Sequence, residues 1–496
     1  VEVSKFSLLI KLIEDESPAS VMEQVPILPD LRGNIKLGNS LISREDLGEE
    51  TVSVVLLREI KPFEWEELNK GLPFDVILGN PPYIKTEDLH TLETEMEFSI
   101  YKKKYHTAYK QFDKYFLFIE KALSLIKDNG NLSFIVPNKF FKIDAGKILR
   151  RMLSDKIMQL DDFGDMQLFP DKTIYSSIIC CKKVKNTEMK YTKVASLVDL
   201  WTGRNQNYIR IKNAGLDENP WRLSTDIKFM RLIVNLETAA RPLGEIANIF
   251  NGIQTSAERP EPVYWFGKDE ILSEDDKVVV IHKFGGRYGI EKSILRPYFK
   301  PTKADEKGME TYSVLTTDKR IIFPYNESGE LIPVQEMKEK YPGTFTYLSD
   351  CYPRLIPKNL NAGVGRDVQN ATEDTWYQYG RTQALTAFIN TPKLIVRVLS
   401  KIPMYAYDSE NMLIASGGTA GYCAVSALPE GKYDLAYIQA WLAHPYTEKL
   451  LQTIGSDFEG GFTARGTYLL KRIPFVELDF DSESQQQIYE AVVKDT

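Results

Sequence analysis

Residues 34–185 alternate short, apolar, β-branched runs with segments that carry apolar residues at helical spacing. Strands that alternate with helices in this way are typical of a largely parallel sheet covered by its crossover helices. The runs that predict strands are NIKLGNSLI (34–42), FDVILGN (74–80), LSFIVP (132–137), IMQLDDFG (157–164) and SSIICCKKV (176–184). We therefore predict an α/β fold for this part of the chain.

Two segments predict helices. Residues 112–130, FDKYFLFIEKALSLIKDNG, have apolar side chains at positions i, i+3, i+4 and i+7 and end in Asn-Gly, which is a helix stop signal. The opening VEVSKFSLLIKLIEDE is also apolar at helical spacing, but it carries Glu2, Lys5 and Lys11 and has no small-residue cleavage site. This pattern favours an amphipathic helix over a signal peptide, and we predict no membrane segment.

The pattern changes in the second half. A chain of 496 residues is too long for one ordinary core, so we expect two or three domains. We predict an α/β domain over residues 1–185, a connecting segment over 186–240, an α+β, β-rich domain over 241–476 and a C-terminal tail over 477–496. The strand-like runs of the second domain are KVVVIHKF, RIIFPY, KLIVRVL, MYAYD and YCAVS.

Charge and cysteine content limit the classes of function. The formal net charge is −7, so a nucleic-acid site requires a local basic surface, because phosphate contacts depend on Lys and Arg. The four histidines lie far apart, without the spacing of zinc ligands, and we assign no metal. Four cysteines, with Cys180 and Cys181 on opposite faces if their run is a strand, indicate reduced thiols in a cytoplasm.

The motif Asn80-Pro81-Pro82-Tyr83 directly follows the buried-strand pattern FDVILGN. An amine on an aromatic base is a weak nucleophile, because its lone pair is delocalised into the ring. The amide oxygen of Asn80 and the carbonyl of Pro81 could accept both amino hydrogens and localise that lone pair. The prolines stiffen the loop, and Tyr83 offers a flat face for an extruded base. The alternative is a Pro-Pro turn with a half-buried tyrosine.

The motif resembles motif IV of the amino-methyltransferases that act on N6 of adenine. Enzymes that methylate a protein glutamine, and some that act on guanine N2 of RNA, share this loop. Further matches follow the order of gamma-class DNA methyltransferases. Gly38-Asn39-Ser40-Leu41 is similar to motif III, which implies that Asn39 and Ser40 bind the donor, S-adenosylmethionine, although many relatives carry Asp at the position of Asn39.

Three more fragments continue the resemblance. Gln111-Phe112-Asp113 and Gly130-Asn131-Leu132 resemble motifs V and VI. Phe169-Pro170-Asp171-Lys172 resembles motif VIII, whose aromatic residue stacks on the opposite face of the flipped base. The resemblance implies that Phe169 pairs with Tyr83 across the base and that Lys172 lies near the base edge or a phosphate. The alternatives are a core phenylalanine and a solvated lysine.

The second half resembles the C-terminal target-recognition domain of type IIG restriction-modification enzymes. The resemblance rests on fragments that recur in order: RPLGEIANIFNGIQTSAERP, IEKSILRPYFK, WYQYGRTQAL, SGGTAGYCAV and GFTARGTYLLKRIPF. Base reading needs Arg, Lys, Asn or Gln on loops that enter a groove. The candidates for DNA recognition are Gln254, Arg366, Arg381, Gln383, Arg397 and Arg465. For each of them the alternative is a salt bridge or solvated surface.

One departure from the gamma class concerns the donor. The sequence has no motif of the type D-P-A-C-G-S-G, and no acidic residue after a second strand. We therefore expect a partial Rossmann-like methyltransferase domain, whose parallel sheet lacks its first strands and leaves an apolar groove. A missing N-terminal methyltransferase or nuclease portion, or a second chain, would complete the site, and the chain alone would be inactive.

The resemblance therefore implies a site-specific, adenine-specific DNA methyltransferase of a bacterial or archaeal type IIG-like restriction-modification or phage-defence system. Its partner would be double-stranded DNA. Two alternatives remain open. One is a DNA-binding specificity fragment without activity, which the absent donor motif favours. The other is a protein glutamine N5-methyltransferase.

Overall fold

The structure is a computed structural model of the chain. It describes residues 2–14, 17, 33–48, 53–169, 174–203, 208–302, 309–368, 370–381, 385–388, 391–416, 421–455, 458 and 461–496. The chain forms two compact units, Val1–Thr225 and Asp226–Thr496.

The first unit combines helices with a six-stranded sheet. Its helices are α1 (Glu2–Ile13), α2 (Val54–Ile60), α3 (Trp65–Leu68), α4 (Thr86–Leu92), α5 (Glu95–Lys104), α6 (Lys114–Leu125), α7 (Lys147–Leu153) and α8 (Leu197–Thr202). Its strands are β1 (Phe74–Gly79), β2 (Ile126–Pro137), β3 (Ile157–Gln167), β4 (Tyr175–Lys182), β5 (Glu188–Lys193) and β6 (Tyr208–Lys212). The strand order is β1-β2-β4-β3-β5-β6.

The sheet is mixed rather than largely parallel, which corrects the sequence-based expectation. β1 and β2 are parallel, as are β3 and β5, but β4 runs antiparallel to both β2 and β3. Only residues 168–174 connect β3 to β4. A parallel return needs a crossover of about a dozen residues or more, so this connection permits only an antiparallel neighbour.

Most predicted elements of the first unit form where the sequence indicates, with two corrections. Residues 34–42 are not a strand: they form one isolated bridge, between Asn39 and Pro62, and one further backbone hydrogen bond with the same neighbouring segment, from the Phe63 amide to the Ile42 carbonyl. The helix predicted over 112–130 ends at Leu125, and residues 126–130 begin β2 by pairing with β1. The alternation at the two adjacent cysteines is confirmed, since Cys181 is buried and Cys180 is only partly buried.

The side chains of β1 are less buried than those of the inner strand β2. In β2, Leu132, Phe134 and Val136 are buried beneath the helices that contribute to the same core cluster. Among the described strands, β1 lies at the edge of the sheet and pairs with β2 alone, and its Val76 and Leu78 are 51% and 73% exposed. The apolar sequence FDVILGN, predicted to be a buried strand, therefore lies at an open edge of the sheet.

The domain limits differ from the predicted ones. Residues 186–225, expected to connect two domains, contribute β5 and β6 to the first sheet. The remaining part of that segment forms α9 (Ile227–Ala239), which packs through Phe229 and Ile233 within the second unit. The predicted tail forms a further helix, Glu483–Asp495, whose Tyr489 and Val493 pack on a core of the second unit.

The second unit contains short strands and helices, as its aromatic and turn-rich sequence predicts. Its further helices are α10 (Val334–Lys340), α11 (Pro342–Asp350), α12 (Tyr352–Leu355), α13 (Leu385–Phe388), α14 (Leu435–Ala443), α15 (Pro445–Ile454), α16 (Thr467–Leu470) and α17 (Glu483–Asp495). Its strands are β7 (Arg241–Pro242), β8 (Ala247–Asn251), β9 (Trp265–Phe266), β10 (Ile271–Glu274), β11 (Val278–Lys283), β12 (Gly286–Glu291), β13 (Leu295–Phe299), β14 (Val314–Leu315), β15 (Arg320–Ile322), β16 (Leu394–Arg397), β17 (Leu399–Ser400), β18 (Tyr405–Asp408), β19 (Leu413–Ile414), β20 (Tyr422–Ala427), β21 (Thr463–Ala464) and β22 (Pro474–Phe475).

The central sheet of the second unit has the order β14-β18-β16-β20-β8. A fully buried ion pair lies where β16 begins beside the end of β18: the Lys393 Nζ is 2.6 Å from the Asp408 Oδ2, and neither side chain is exposed. The Asp408 carboxylate also accepts hydrogen bonds from the backbone amides of Glu410 and Met412. The pair thus joins β16 to the turn that follows β18.

Loss of Lys393 should destabilise the second unit strongly. Lys393→Met leaves the Asp408 carboxylate buried without its counter-ion, so we expect the free energy of unfolding to fall by about 3–5 kcal/mol. Urea unfolding of the full chain, followed by tryptophan fluorescence, measures this change. Lys432→Met, which removes an exposed lysine of the same unit, is the matched control. Equal stability of the two variants would contradict a structural role for the pair.

Candidate active site

The Asn80–Tyr83 loop begins immediately after the last residue of β1, at the carboxyl end of this strand. Asn80 and Pro82 are exposed, Pro81 is buried and Tyr83 is partly buried. The two consecutive prolines restrict φ, so the direction of the Asn80 side chain and of the Pro81 carbonyl is set with little conformational freedom. The loop therefore presents an amide oxygen to solvent at the edge of the sheet.

Tyr83 is fixed by its hydroxyl and its ring. The hydroxyl donates a 2.8 Å hydrogen bond to the Ile135 carbonyl of β2, and the ring contacts Tyr115 edge to face at 6.1 Å between centroids. Burial raises the pKa of Tyr83 to about 12, so the hydroxyl stays protonated and keeps donating. The hydrogen bond to β2 and the contact with Tyr115 therefore hold the Tyr83 ring in place.

Phe169 lies beside Tyr83, as the motif pairing predicts. The ring centroids are 6.5 Å apart, and the ring planes meet at 64°, an edge-to-face contact. A base sandwiched between two parallel rings needs about 7 Å, twice the contact distance of about 3.5 Å. The two rings are thus together, but Phe169 must rotate or withdraw before a purine can stack between them. Lys172 lies outside the described residues.

A buried carboxylate fixes the backbone that leads towards Phe169. Asp162 in β3 accepts hydrogen bonds from the Asn138 side chain at 3.1 Å, the Gly164 amide at 2.9 Å and the Tyr191 hydroxyl at 3.1 Å, and it pairs with Lys193 at 2.9 Å. Burial opposes the charge of Asp162, but Lys193 and the Gly164 amide outweigh it, so the pKa of Asp162 lies below its ordinary value. The network joins the end of β2 to β3.

An apolar groove runs along the open edge of β1 to the Asn80–Tyr83 loop. Its volume is about 410 Å³. The groove residues are Ser40, Trp65, Phe74, Val76, Ile77, Leu78, Gly79, Asn80, Pro81, Pro82, Phe118, Lys121, Ala122, Leu125 and Phe134. Among them, Trp65 donates its indole hydrogen to the Ser40 carbonyl at 2.9 Å, so the Ser40 backbone is held at the groove wall.

A second cavity, of about 300 Å³, lies around Asn39, the residue expected to contact the donor. The Asn39 Nδ2 donates to the Glu97 Oε1 at 2.9 Å and to the Tyr101 hydroxyl at 3.1 Å, while its Oδ1 accepts from the Leu41 amide. All polar atoms of this side chain are therefore engaged within the protein. Asn39 shapes the cavity wall: both of its amide hydrogens are used within the protein, whereas its Oδ1 has a second lone pair that could accept from a ligand.

Two carboxylates line this second cavity. Glu97 is buried and caps its own helix by accepting from the Thr94 amide. Glu93 forms an ion pair with Lys114 through its Oε1, whereas its buried Oε2 has no hydrogen-bond partner among the described residues. A ligand hydroxyl or amine would satisfy that oxygen.

The second unit separates the candidate DNA-reading residues into two groups. Arg366 and Arg465 are buried, and their guanidinium groups bind backbone carbonyls, the Ser400 hydroxyl or Glu448. They hold the fold together and cannot reach a DNA groove, which corrects the expectation for both. Arg397 is partly buried in β16, and Gln383 lies outside the described residues.

The two exposed candidates, Gln254 and Arg381, are neighbours. They form an isolated antiparallel bridge, in which the Arg381 amide donates to the Gln254 carbonyl at 3.0 Å. Both side chains are exposed. The fold thus brings together two polar residues that are more than a hundred positions apart in the sequence.

Comparison with known proteins relates the chain to restriction-modification methylases. Residues 1–169 match the Eco57I restriction-modification methylase family. Over 498 residues the chain is 36% identical to the type II restriction enzyme and methyltransferase RM.Eco57I of Escherichia coli, a match that covers 98% of this chain and 48% of the relative. The first 169 residues are thus similar to the Eco57I restriction-modification methylase family.

Other similar proteins and structures are more distant from this chain. The type II methyltransferase M.PaeR7I of Pseudomonas aeruginosa is 22% identical over 92% of this chain and 74% of the relative. A solved structure of the type IIL restriction-modification enzyme MmeI in complex with DNA is 12% identical, covers 87% of this chain and 50% of that chain, and gives a TM-score of 0.49. The chain spans about half the length of RM.Eco57I.

Three residues of the Eco57I-like site were not among those predicted. Phe118 lies in both cavities, but in the sequence it is one of many apolar residues of α6. Glu93 is one of several acidic residues in a polar stretch, and nothing in the sequence distinguishes it. Asp162 did leave a signal, because a carboxylate in the middle of an apolar strand must be buried with partners.

Other types of site find no support in the described part of the chain. There, no group of three or more His, Cys, Asp and Glu side chains is arranged to hold a metal ion. Within the same residues, no helix combines the length and apolar character needed to cross a bilayer.

The low pKa of Asp162 predicts acid sensitivity of the first unit. A carboxyl whose pKa is lowered on folding stabilises the protein at pH values above its ordinary pKa of about 3.9 and loses this contribution as the pH falls further. We expect the unfolding free energy of the wild type to fall more steeply below about pH 4 than that of Asp162→Asn. Urea unfolding at a series of pH values measures how the unfolding free energy of each protein changes with pH.

Asp165→Asn, which removes an exposed carboxylate from the same strand, is the control for the change in charge. Parallel pH profiles for the wild type and Asp162→Asn would refute the assignment of a stabilising charge to Asp162.

Proposed function

We propose that this chain is the catalytic-loop and target-recognition portion of a site-specific DNA methyltransferase, which transfers a methyl group from S-adenosylmethionine to N6 of adenine. The observation that carries the proposal is the Asn80–Tyr83 loop at the end of β1, where Asn80 is exposed and Phe169 lies beside Tyr83. The type II methyltransferases among the relatives support a role in DNA modification. The setting is the cytoplasm of a bacterium or archaeon, in line with four free cysteines.

Asn80 and Pro81 activate the amine. The Asn80 Oδ1 and the Pro81 carbonyl each accept one amino hydrogen, which draws the nitrogen away from conjugation with the ring and directs its lone pair at the methyl donor. The prolines hold both acceptors in advance, so little reorganisation is needed in the transition state. Neither acceptor is a base, and the nitrogen releases its extra proton to solvent after the transfer.

Tyr83 and Phe169 hold the extruded base. Tyr83 is fixed by its bond to Ile135, so its ring provides a ready platform. Phe169 is in edge-to-face contact with that platform and moves aside when the base arrives. Stacking on each ring offsets part of the stacking that the base loses in the duplex, about 1–3 kcal/mol per contact. Adenine N6 then faces the acceptors at the mouth of the groove.

The donor, when bound, supplies an electrophilic methyl group on a sulfonium sulfur. The groove along β1 and the cavity around Asn39 fit such a molecule in part, since Ser40 and Phe118 line both of them. The unsatisfied Glu93 Oε2 offers an acceptor for a donor hydroxyl or amine. We assign the wall of the donor site to Ser40 and Phe118, and we give Asn39 the task of shaping the cavity.

A further strand completes the donor site. One edge of β1 has no partner strand among the described residues, and the Val76 and Leu78 side chains are exposed there, beside the groove. Open apolar edges pair readily with another strand, because their backbone groups and apolar side chains are both unsatisfied. We assign this role to a methyltransferase segment outside the present chain, either in the same polypeptide or in a partner.

The open edge also favours a second candidate function, a DNA-specificity protein without methyl transfer. Donor binding by the complete enzyme separates the two candidates. Protein glutamine methylation uses the same loop chemistry, but it gives no role to the exposed pair Gln254 and Arg381 in the second unit.

Asn80→Ala should abolish methylation in the full-length enzyme and leave DNA binding nearly unchanged. Removal of one pre-organised acceptor costs on the order of 10²-fold or more in rate. DNA affinity depends instead on phosphate and groove contacts made elsewhere. Transfer of a labelled methyl group to DNA, measured beside a DNA-binding titration, checks both parts.

Asn129→Ala, at an exposed position in the first half of β2, is the matched control and should retain activity. Turnover by Asn80→Ala within a few-fold of the wild type would show that the loop does not activate the amine.

The chain as it stands should bind duplex DNA but not methylate it, and it should bind S-adenosylmethionine weakly or not at all. Ser40 and Phe118 supply only part of a donor site. With a net charge of −7, DNA affinity must come from a local basic surface and should weaken steeply with salt. Calorimetry with S-adenosylmethionine and a salt series of DNA titrations test the two parts, and micromolar donor binding would refute the first.

A further inference from the structure

Arg366 is buried at the meeting point of three chain segments of the second unit. Its Nε donates to the Leu355 carbonyl at 2.8 Å, and its Nη1 donates to Thr255 and Gln378 at 3.0 and 3.2 Å. Its Nη2 donates to the Trp376 carbonyl at 2.6 Å. One guanidinium group thus binds segments around residues 255, 355 and 377 at the same time.

Gln254 and Arg381 stand directly beside the segments that Arg366 binds. We call these two residues the reading pair. Arg381 donates its amide to the Gln254 carbonyl, and the adjacent Gly380 amide donates to the Thr255 carbonyl, which is also a ligand of Arg366. The side chains of the reading pair are exposed, whereas the guanidinium that fixes their backbones is 94% buried, since Arg366 is only 6% exposed.

Two more contacts restrict the spacing of the two segments. A Cβ built on Gly380 would lie 1.9 Å from the Ser256 Oγ, so the segments touch closely and only glycine fits. The first segment is also held by Glu258, which accepts from the Thr255 hydroxyl at 2.7 Å and from the Trp265 indole at 3.0 Å. The reading pair is therefore presented on a rigid support.

We infer that Gln254 and Arg381 form one base-reading unit and that Arg366 is the positioning residue that holds it. The inference rests on the proposed function and deepens it, because it names the specificity site of the second unit. It also gives Arg366 a role other than the base contact that its sequence suggests.

The geometry of the bridge suits base reading. Residues paired across an antiparallel bridge have Cα atoms about 5 Å apart and side chains on the same face. Successive base pairs are separated by about 3.4 Å along the helix axis, so two such side chains can reach the same or neighbouring base pairs. Arginine pairs in two-point fashion with guanine, and glutamine does so with adenine. The unit therefore fits a short purine-containing step of the target.

Lysine could not replace Arg366. Four donor-acceptor contacts to carbonyls in different directions require the planar, multi-donor guanidinium, whereas an ammonium has three donors at one point. Arg366→Lys should leave one or more carbonyls without a donor and let the two segments shift relative to each other.

The test selects DNA from a pool of randomised duplexes with the full chain and sequences the bound fraction. The wild type should enrich one consensus. Gln254→Ala and Arg381→Ala should each lose about 10-fold or more of the discrimination at one or two neighbouring positions and keep it elsewhere. Arg366→Lys and Gly380→Ala should relax those same positions together. Arg287→Gln, at an exposed arginine of the same unit, should keep the wild-type consensus.

The readout separates positioning from a loss of folding. A variant that is only less stable lowers the fraction of active protein, but the molecules that still bind select the wild-type consensus. An unchanged consensus for Arg366→Lys and Gly380→Ala would therefore overturn the positioning role. If Gln254→Ala and Arg381→Ala both kept the wild-type consensus, the reading unit would be overturned while the proposed function would stand. A wild type that enriches no sequence would overturn the reading unit and the proposed function together.

Discussion

The chemistry of the first unit depends on the parallel pairing of β1 with β2. This pairing sets the end of β1 beside the end of β2, so that Tyr83 reaches the Ile135 carbonyl and Asn80 emerges at the rim of the sheet. The antiparallel β4 lies between β2 and β3, and β3 ends at Gln167, two residues before Phe169. A site that holds a flat base needs two ring faces from separate segments, and the mixed sheet supplies both.

The same pairing leaves the other edge of β1 open. A strand with apolar side chains on both faces normally lies inside a sheet, yet Val76 and Leu78 are exposed and line a groove. Asn80 and Pro81, the proposed acceptors, thus directly follow the strand that lines the groove. A strand added at this edge would cover the groove and would also lie beside the Asn80–Tyr83 loop. Completion of the proposed donor site would then depend on assembly of the sheet.

Buried cations organise the second unit. Arg366 binds four carbonyls, Arg465 binds Ser400 and Glu448, and Lys393 pairs with Asp408. Burial of a charge is costly unless the group is paired and hydrogen-bonded, so the partners of each group fix the segments around it. The Nε of Arg465 alone has no partner among the described residues. Exposed side chains on those segments, such as Gln254 and Arg381, gain defined positions without contributing to the core.

The sequence by itself determined the α/β class, the strands and helix that surround Asn80–Tyr83, and the β-rich second unit, because hydrophobic periodicity and turn residues act locally. It also indicated the pairing of Tyr83 with Phe169. Only the tertiary structure decided that Asn39 is engaged by Glu97 and Tyr101, and that Arg366 and Arg465 are internal. An arginine in a turn-rich segment has the same local pattern whether it faces solvent or carbonyls, and that choice depends on which distant backbone groups need a donor.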